Sequence, residues 1–335
     1  MRALVVGGGS IGTRHLKNLI TLGVGPIAVV EPDIQRREWL CKENPIVALE
    51  TLEQGLEWVP DFAVIATPTH LHVEHALAIA RSGCHFFIEK PLSHTPDGLN
   101  DLLAVVEDKG LISLVGCNMR FHPGPAKVKQ LLEEKVIGRV LFARIHTGSY
   151  LPGWRPWQDY RKSYSANGAM GGGCLLDCIH EIDLTRWYLG EVEEVFCKLG
   201  QTGSLEIDVE DVAILICQHV GNVLSEVHLD YVQRTYERGC QIVGEQGSIF
   251  WDFKAGTVRC FDAKQNSWTI LAQPEEWQIN QMYVDELRHF LQCVRQGKET
   301  TLPVKDAVDL MRVVFAASVS AESGRMVRVR EVLTW

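Results

Sequence analysis

The chain has 335 residues, a formal net charge of −9 and 46% hydrophobic residues. This length predicts two domains, and the composition excludes a disordered or collagen-like chain. An acidic chain without a basic run lacks the features of a nucleic-acid or membrane-surface binder, so neither partner is expected. No membrane-spanning stretch and no signal peptide are predicted, which together with ten scattered cysteines favours a cytoplasmic location.

The first 120 residues alternate short apolar runs with helical segments. The predicted strands are 3–6, 27–30, 46–49, 62–66, 85–88 and 111–116. Helices are predicted between them at 11–22, 71–82 and 99–108, each with a glycine close after its last turn. This alternation predicts an α/β fold whose N-terminal part is a doubly wound parallel sheet.

The remaining residues are predicted to form a second, strand-rich domain. Helices are predicted at 126–134, 175–189, 282–295 and 304–322, with an irregular stretch at 149–173. The predicted strands are 140–146, 192–199, 212–219, 223–232, 240–243, 249–253 and 258–261. Consecutive hairpins favour a C-terminal α+β domain with an open, largely antiparallel sheet. Pro123-Gly124-Pro125 marks the boundary, which predicts domains 1–121 and 122–335.

A glycine-rich turn follows the first predicted strand. Gly7, Gly9 and Gly12 form a G-x-G-x-x-G pattern that opens the first helix, as a dinucleotide site requires. Gly7 permits the tight turn, a side chain at Gly9 would block the pyrophosphate, and Gly12 lets the helix approach the strand. The helix N-terminus, with Ser10 and Ile11, would face the phosphates. A glycine turn without a ligand is the alternative.

The residue after the second strand bears on the choice of cofactor. Glu31 lies 24 residues after Gly7, where an acidic side chain can bind both ribose hydroxyls and would repel a 2′-phosphate. The sequence therefore predicts NAD, with NADP less favoured. Arg36 and Arg37 could pair with a 2′-phosphate, but solvated charges on a helix are the preferred interpretation.

Polar residues also follow the later strands of this sheet, at the carboxyl ends where ligands bind. Cofactor contacts are predicted there for Thr67, Pro68, His70, Glu89, Lys90 and Asn118. Glu89 and Lys90 follow a buried strand, and a charged residue in such a place must be paired or functional. A surface ion pair between Glu89 and Lys90 is the alternative.

A second candidate segment follows three consecutive glycines at 171–173. Asp177 and His180 are three residues apart and are predicted to share one face of the helix 175–189. The carboxylate could orient and tune the imidazole, which titrates near neutral pH. The alternative is that Asp177 caps the helix and His180 is a satisfied buried histidine.

These segments together resemble the Gfo/Idh/MocA family, which includes glucose-fructose oxidoreductases and inositol dehydrogenases. The resemblance rests on the glycine turn, on Glu89-Lys90-Pro91 and on residues 171–183, and it covers nearly the whole chain. It implies an N-terminal Rossmann domain and a C-terminal open sheet. The catalytic Lys, Asp and His of the family would correspond to Lys90, Asp177 and His180. Many members space that Asp and His by about four residues, so Asp177 would lie about a third of a turn from its usual place.

The resemblance implies an NAD(P)-dependent enzyme that transfers hydride between nicotinamide and a secondary alcohol or ketone carbon of a sugar, polyol or nucleotide sugar. Lys90 and His180 are the candidate proton-transfer groups, and Asp177 would position the sugar or the histidine. A partly desolvated lysine beside a nicotinamide cation is expected to have a lowered pKa. No metal is expected. The alternatives are a binding protein that senses NAD or a sugar, and a redox-neutral enzyme that retains tightly bound NAD.

The irregular segment 151–166 is rich in aromatic and basic side chains. Such side chains stack on sugar rings and pair with phosphate or carboxylate, which favours an anionic substrate. The predicted substrate-binding residues are Lys90, Arg120, Trp154, Arg155, Arg161, Tyr164, Asp177 and His180. An interface arm that packs on a neighbouring subunit is the alternative for this segment.

The predicted sheet of the second domain has helices to cover one face only. Val223, Ser225, Val227 and Leu229 alternate with Leu224, Glu226, His228 and Asp230. The uncovered face is expected to pack against a second subunit, which predicts a homodimer or homotetramer.

Overall fold

The computed structural model describes residues 1–332, which divide into two compact units. The first unit comprises residues 1–118 and 279–309, and the second comprises residues 119–278 and 310–332. The sequence instead places one boundary near residue 121. Residues 333–335 of the predicted second domain lie outside the described residues.

Short buried strands and their connecting helices form the first unit. The strands are β1 (Ala3–Val6), β2 (Ile27–Val30), β3 (Val47–Leu49), β4 (Phe62–Ile65), β5 (His85–Glu89) and β6 (Ser113–Gly116). The helices are α1 (Ser10–Thr21), α2 (Ile34–Glu43), α3 (Leu52–Glu57), α4 (His72–Arg81) and α5 (Leu99–Asp108). The sequence does not predict α2 and α3, because Leu40 and Gly55 are the buried residues of these two helices and neither shows an apolar periodicity.

The first sheet is parallel, and its strand order is β3-β2-β1-β4-β5-β6. This is the order of a doubly wound Rossmann sheet, which confirms the fold class predicted for this region. The strand order reverses between β1 and β4, and ligands bind at the carboxyl ends of the strands on either side of such a point.

The second unit begins with a helix and is then dominated by strands. Its elements are α6 (Pro123–Glu133), β7 (Val140–Gly148), α7 (Cys174–Asp177), α8 (Ile179–Leu189), β8 (Val192–Gly200), β9 (Val212–His219), β10 (Leu224–Asp230), β11 (Glu237–Gly244), β12 (Gly247–Asp252), β13 (Thr257–Asp262) and β14 (Ser267–Ala272). The chain continues with α9 (Asn280–Gln296), α10 (Val304–Ser323) and β15 (Val327–Arg328). None of the helices within residues 1–332 is long and apolar enough to cross a bilayer.

The second sheet has the order β14-β13-β12-β11-β7-β10-β9-β8-β15. Its strands β7 and β10 run parallel, and the other pairs among the described strands are antiparallel. The predicted open, largely antiparallel sheet is therefore confirmed. The sequence does not predict β14 because this edge strand is largely exposed, with Ile270 at 64%.

The helix α9 packs within the first unit, although the sequence assigns it to the second domain. It contacts α1 and β6, and its Asn280 donates from Nδ2 to Oδ1 of Asn18 at 2.9 Å. Phe290 packs edge-on against Phe62 and Phe87, with ring centroids 5.6 and 6.3 Å apart. The apolar stripe of an amphipathic helix predicts burial but does not specify which surface it covers, since hydrophobic burial is non-directional.

One face of the second sheet is buried and the other is exposed in the described chain. Along β10, Val227 and Leu229 are buried whereas Leu224 is 50% exposed. Asp230 departs from the alternation because its buried carboxylate accepts hydrogen bonds from nearby backbone N–H groups. The exposed face carries apolar side chains from several strands, namely Phe142, Ile214, Ile216, Leu224, Trp268 and Ile270.

Candidate active site

The glycine-rich turn connects β1 to α1. Gly7 has a φ of 99°, and a Cβ there would lie 2.8 Å from the carbonyl oxygen of Ala66. A Cβ on Gly12 would collide with the Gly7 carbonyl, whereas a Cβ built on Gly9 has no atom of the described residues within 4 Å apart from those of Gly9 and its two chain neighbours. The turn is thus closely packed on the protein side and open at Gly9, and this open space with the adjacent helix N-terminus fits a pyrophosphate.

Glu31 lies beside this turn, directly after β2. Its Oε2 accepts the N–H of Gly8 at 2.9 Å, and its Oε1 accepts the N–H of Asp33 at 3.1 Å. These bonds hold the carboxylate where the ribose of a dinucleotide lies in a sheet of this order. The open glycine turn and the Glu31 carboxylate together fit NAD as the bound cofactor.

Arg36 and Arg37 are not the solvated helix charges that the sequence favours. Arg36 donates from Nε to the Gly8 carbonyl at 2.7 Å and from Nη2 to Oγ1 of Thr13 at 2.9 Å. Arg37 donates from Nη1 to the carbonyl of Glu31 at 2.7 Å. Backbone carbonyls of the turn and of the β2 end attract both guanidinium groups, and these contacts hold Arg36 at the glycine turn.

The other predicted cofactor residues follow β4, β5 and β6, which are neighbours in the sheet. Thr67 is half-buried, whereas Pro68 and His70 are exposed. Asn118 is 4% exposed, just after β6. Because neighbouring parallel strands end at the same edge, the first unit brings Thr67, Lys90 and Asn118 to one side of its sheet.

Glu89 closes β5 and is 8% exposed. Its Oε1 lies 2.6 Å from Nε2 of His15 in α1. Burial alone would raise the pKa of Glu89, but the hydrogen bond and charge of His15, with a smaller contribution from Lys90, hold it below its usual value. Glu89 is a buried carboxylate paired with a histidine, so the alternative of a surface pair with Lys90 is wrong. Lys90, the next residue, is half-buried.

Asp177 and His180 belong to two helices and not to one. Asp177 closes α7, Cys178 has φ −91° and ψ 31°, and α8 starts at the next residue. The single helix predicted over 175–189 is therefore interrupted, and the two side chains do not share a helix face. Separate tertiary contacts hold the two helices, and these override the local helical preference.

Three side-chain hydroxyls surround the carboxylate of Asp177, which is 5% exposed. Tyr164 donates to Oδ1 at 2.9 Å, and Ser165 and Tyr231 donate to Oδ2 at 2.7 and 3.3 Å. Burial and the nearby Asp177 raise the pKa of Tyr231 well above its usual value, which keeps this phenol protonated as a donor. The carboxylate is thus oriented by hydroxyl groups, in contrast to the helix-capping alternative.

His180, the second residue of α8, is 8% exposed. Two ion pairs follow it closely in α8: Glu181 with Arg238 at 2.7 Å and Asp183 with Arg120 at 2.6 Å. Both carboxylate side chains are fully buried, and a buried charge requires such a partner. These pairs fix α8, and Arg120, predicted as a substrate ligand, is the partner of Asp183 in one of them.

Part of the irregular segment between β7 and α7 packs against the hydrogen-bond partners of Asp177. The Trp154 ring meets the Tyr231 ring edge-on, with centroids 5.3 Å apart. The guanidinium of Arg155 lies 5.6 Å from the ring centroid of Tyr164, whose hydroxyl donates to Asp177. The structure therefore brings Trp154, Arg155 and Tyr164 together with Asp177.

Arg161 has different surroundings. It is exposed, and its guanidinium pairs with Asp159 at 2.9 Å and with Glu206 at 2.7 Å. The hydrogen bonds and charges of these two carboxylates raise the pKa of Arg161 above its usual value. Because both partners already neutralise it, Arg161 is a weaker candidate for substrate binding than Arg155.

Several residues at these sites escape sequence prediction, among them His15, Ser165, Tyr231 and Arg238. The carboxylates of Glu181 and Asp183 lie next to apolar residues of α8, and a carboxylate in such a place requires a partner. Their partners are 57 and 63 residues away, so no local spacing identifies them.

The fold and the site of the first unit define a class of protein. An open glycine turn on a doubly wound sheet, with a carboxylate at the ribose position, is the dinucleotide site of NAD-binding oxidoreductases. Residues 1–117 match the family model for the NAD-binding Rossmann fold of the oxidoreductase family, and residues 126–250 match the GFO/IDH/MocA C-terminal domain. The chain belongs to the Gfo/Idh/MocA family of NAD-dependent oxidoreductases.

Similar proteins include enzymes of different named activities. The scyllo-inositol 2-dehydrogenase (NAD(+)) of Bacillus subtilis (strain 168) is 28% identical over 98% of this chain and 96% of the relative. The 2,7-anhydro-N-acetylneuraminate hydratase of Escherichia coli (strain K12) is 31% identical over 68% of this chain and 62% of the relative. A levoglucosan dehydrogenase solved with NADH and levoglucosan has a TM-score of 0.88 at 21% identity, over 98% of this chain and 99% of that one, which shows a shared fold.

The position of Glu31 predicts a preference for NAD over NADP in kcat/KM. Glu31→Gln keeps the side-chain volume and removes the charge that would repel a 2′-phosphate. We expect the ratio of kcat/KM for NAD to kcat/KM for NADP to fall roughly tenfold in this variant, equivalent to about 1.4 kcal/mol. The exposed Glu38 of α2 provides the control, since Glu38→Gln makes the same change of charge away from the turn. A wild-type preference for NADP would mean that Arg36 outweighs Glu31.

Proposed function

We propose that the chain catalyses hydride transfer between NAD and a secondary alcohol or ketone carbon of a sugar or polyol, with Lys90 and His180 as the proton-transfer groups. The observation that carries this proposal is the placement of Lys90 directly after the buried Glu89, at the carboxyl end of a Rossmann strand. Bound NAD supplies the hydride acceptor or donor. The protein must then move one proton to or from the substrate oxygen, which suits a positioned lysine or histidine.

Asp177 is proposed to orient the substrate or His180 without itself carrying the proton. Its two oxygens accept three hydroxyl hydrogen bonds, and such bonds favour the charged form of a carboxylate. A fixed carboxylate can bind a sugar hydroxyl in the same way. The ion pairs on α8 would hold His180 in place during the reaction.

A pyridine-nucleotide absorbance screen against polyols, aldoses, uronates and nucleotide sugars tests this proposal. We expect substrate-dependent reduction of NAD by at least one class. The named activity of the hydratase relative favours one second candidate, a redox-neutral reaction in which NAD stays bound. Stoichiometric NAD that resists dialysis, with no net change of absorbance on any substrate, would support that candidate and contradict the proposed dehydrogenase.

The substrate is proposed to be anionic, and Arg155 is its proposed partner. Arg155→Ala removes a charged hydrogen-bond donor, so we expect KM for the substrate to rise about ten- to a hundredfold while NAD affinity is retained. A smaller effect is expected for Arg161→Ala because Arg161 is already paired with two carboxylates. Lys162→Ala is the control, because it removes one positive charge from an exposed residue of the same segment. An unchanged KM in Arg155→Ala would favour an interface arm instead.

The exposed face of the second sheet is proposed to pack on another copy of the chain, as a homodimer or homotetramer. Ile216 is 45% exposed in β9, and a charge at the centre of an apolar interface is costly to bury. We expect Ile216→Glu to reduce the mass measured by light scattering, whereas Ile34→Glu, at an exposed residue of α2, should not. A monomeric wild-type protein at micromolar concentration would contradict this proposal.

A further inference from the structure

Two buried histidines hold the two ends of the Glu89-Lys90-Pro91 segment. His15 is fully buried, and its Nε2 lies 2.6 Å from Oε1 of Glu89. His72 is 1% exposed, and its Nδ1 lies 2.7 Å from the carbonyl oxygen of Pro91. Lys90 is the residue between these two attachment points.

His15 connects Lys90 to the helix that follows the glycine turn. It is three residues after Gly12 in α1, and its ring packs on Phe87 of β5 with centroids 5.0 Å apart. A buried imidazole is costly unless it is hydrogen-bonded, so the contact with Glu89 is the polar anchor of this ring. The position of Glu89 is thus tied to the element that opens the proposed pyrophosphate site.

His72 connects Lys90 to the neighbouring strand. Its second nitrogen, Nε2, lies 2.9 Å from the carbonyl oxygen of Thr67, just after β4, and β4 pairs directly with β5. A neutral ring donates to one of the two carbonyls and a protonated ring donates to both. The ring therefore bridges the chain segments that leave two adjacent strands, on the side where Lys90 lies.

We propose that His15 and His72 are positioning residues that fix Lys90 for proton transfer. The proposal rests on the proposed function of Lys90. Because Glu89 and Pro91 are both held by histidines, the backbone of Lys90 is held in place. Its conformational freedom is then limited to rotation of the side chain. Such anchoring matters because a displacement of about 1 Å at a reacting group can lower a rate by about a hundredfold.

Variants of His72 test the positioning role. His72→Phe keeps a planar ring and removes both nitrogens, and we expect kcat to fall about ten- to a hundredfold with little change in KM for NAD. His72→Gln retains an N–H donor and should recover part of the loss. His85→Gln is the matched control, because His85 lies at the opposite end of β5 and its Nδ1 accepts the N–H of Ile112. That control should lower Tm without lowering kcat.

Variants of His15 provide a second test of the positioning role. Loss of the ring leaves Glu89 without its buried partner, so His15→Leu can fail to fold. His15→Gln keeps an N–H that can reach the carboxylate, and we expect a folded enzyme with a lowered kcat and a largely unchanged KM for NAD. A His15→Gln enzyme with wild-type kcat and a wild-type rate of Lys90 acetylation would overturn the role of His15.

The chemical reactivity of Lys90 in the His72 variants distinguishes a loss of positioning from a general loss of stability. Acetic anhydride labelling of the NADH-bound enzyme, read at Lys90 by mass spectrometry, requires no substrate. We expect Lys90 to label about threefold faster or more in His72→Phe than in the wild type, because a released amine gains solvent access. Wild-type labelling in both His72 variants would overturn the proposal, even if kcat were lower. Faster labelling with unchanged kcat would retain the positioning role and overturn the proposed catalytic role of Lys90.

Discussion

Replacement of Lys90 with methionine is expected to lower kcat by roughly 100- to 10,000-fold, the usual contribution of a positioned acid or base. Methionine keeps most of the volume of the side chain and removes the ammonium group. Glu89 retains its contact with His15 in this variant, so the segment should keep its place. The affinity for NAD should change much less, because the turn at Gly9 and the carboxylate of Glu31 are unaltered. Steady-state kinetics and NADH fluorescence titration measure the two effects separately.

Lys42→Met provides the control for this variant, since Lys42 is exposed in the last turn of α2. Its kcat should equal that of the wild type. Near-full turnover by Lys90→Met on the identified substrate would falsify the role of Lys90. His180 alone would then be the candidate for the proton transfer.

Replacement of His180 with asparagine is expected to lower kcat by a similar factor of roughly 100 to 10,000. Asparagine retains some hydrogen bonding but does not titrate near neutral pH. The ion pairs of Glu181 and Asp183 hold α8 independently of the imidazole, so the fold should persist. The pH profile of kcat should also lose one of its limbs, which a purely structural histidine would not cause.

His219→Asn is the matched control, because His219 is another buried histidine of the second unit. Its ring contacts the Gly190 carbonyl and Oγ of Ser225, both at 2.9 Å. This variant should lower Tm and leave the pH profile unchanged. If His180→Asn behaves like His219→Asn, His180 is a satisfied core histidine.

Two further measurements examine how the groups act together. The combined Lys90→Met and His180→Asn variant should lose less activity than the product of the separate effects, because groups that act as a unit are not additive. Asp177→Asn should be milder than either, since an amide oxygen can still accept hydrogen bonds from Tyr164 or Ser165. A loss in Asp177→Asn as large as that of Lys90→Met would assign Asp177 a direct part in proton transfer.

The helix predicted over 175–189 shows where sequence patterns reach their limit. Apolar residues recur on both sides of the break, and the sequence at the break contains no glycine or proline. The break at Cys178 separates Asp177, held by hydroxyls, from α8, held by buried ion pairs. The partner side chains come from distant parts of the chain, so the interruption could not be predicted from local propensity.

Features that depend on neighbouring residues are predictable from the sequence alone. The glycine turn, Glu31 after β2 and Lys90 after β5 follow from short spacings and from the alternation of buried strands with helices, because backbone geometry and strand burial are local properties. The pairing of distant side chains, in contrast, depends on how the chain folds as a whole. His15 meets Glu89 across 74 residues, and Tyr231 meets Asp177 across 54. A buried charge or hydroxyl requires a partner, but many partners satisfy that requirement, and packing selects among them.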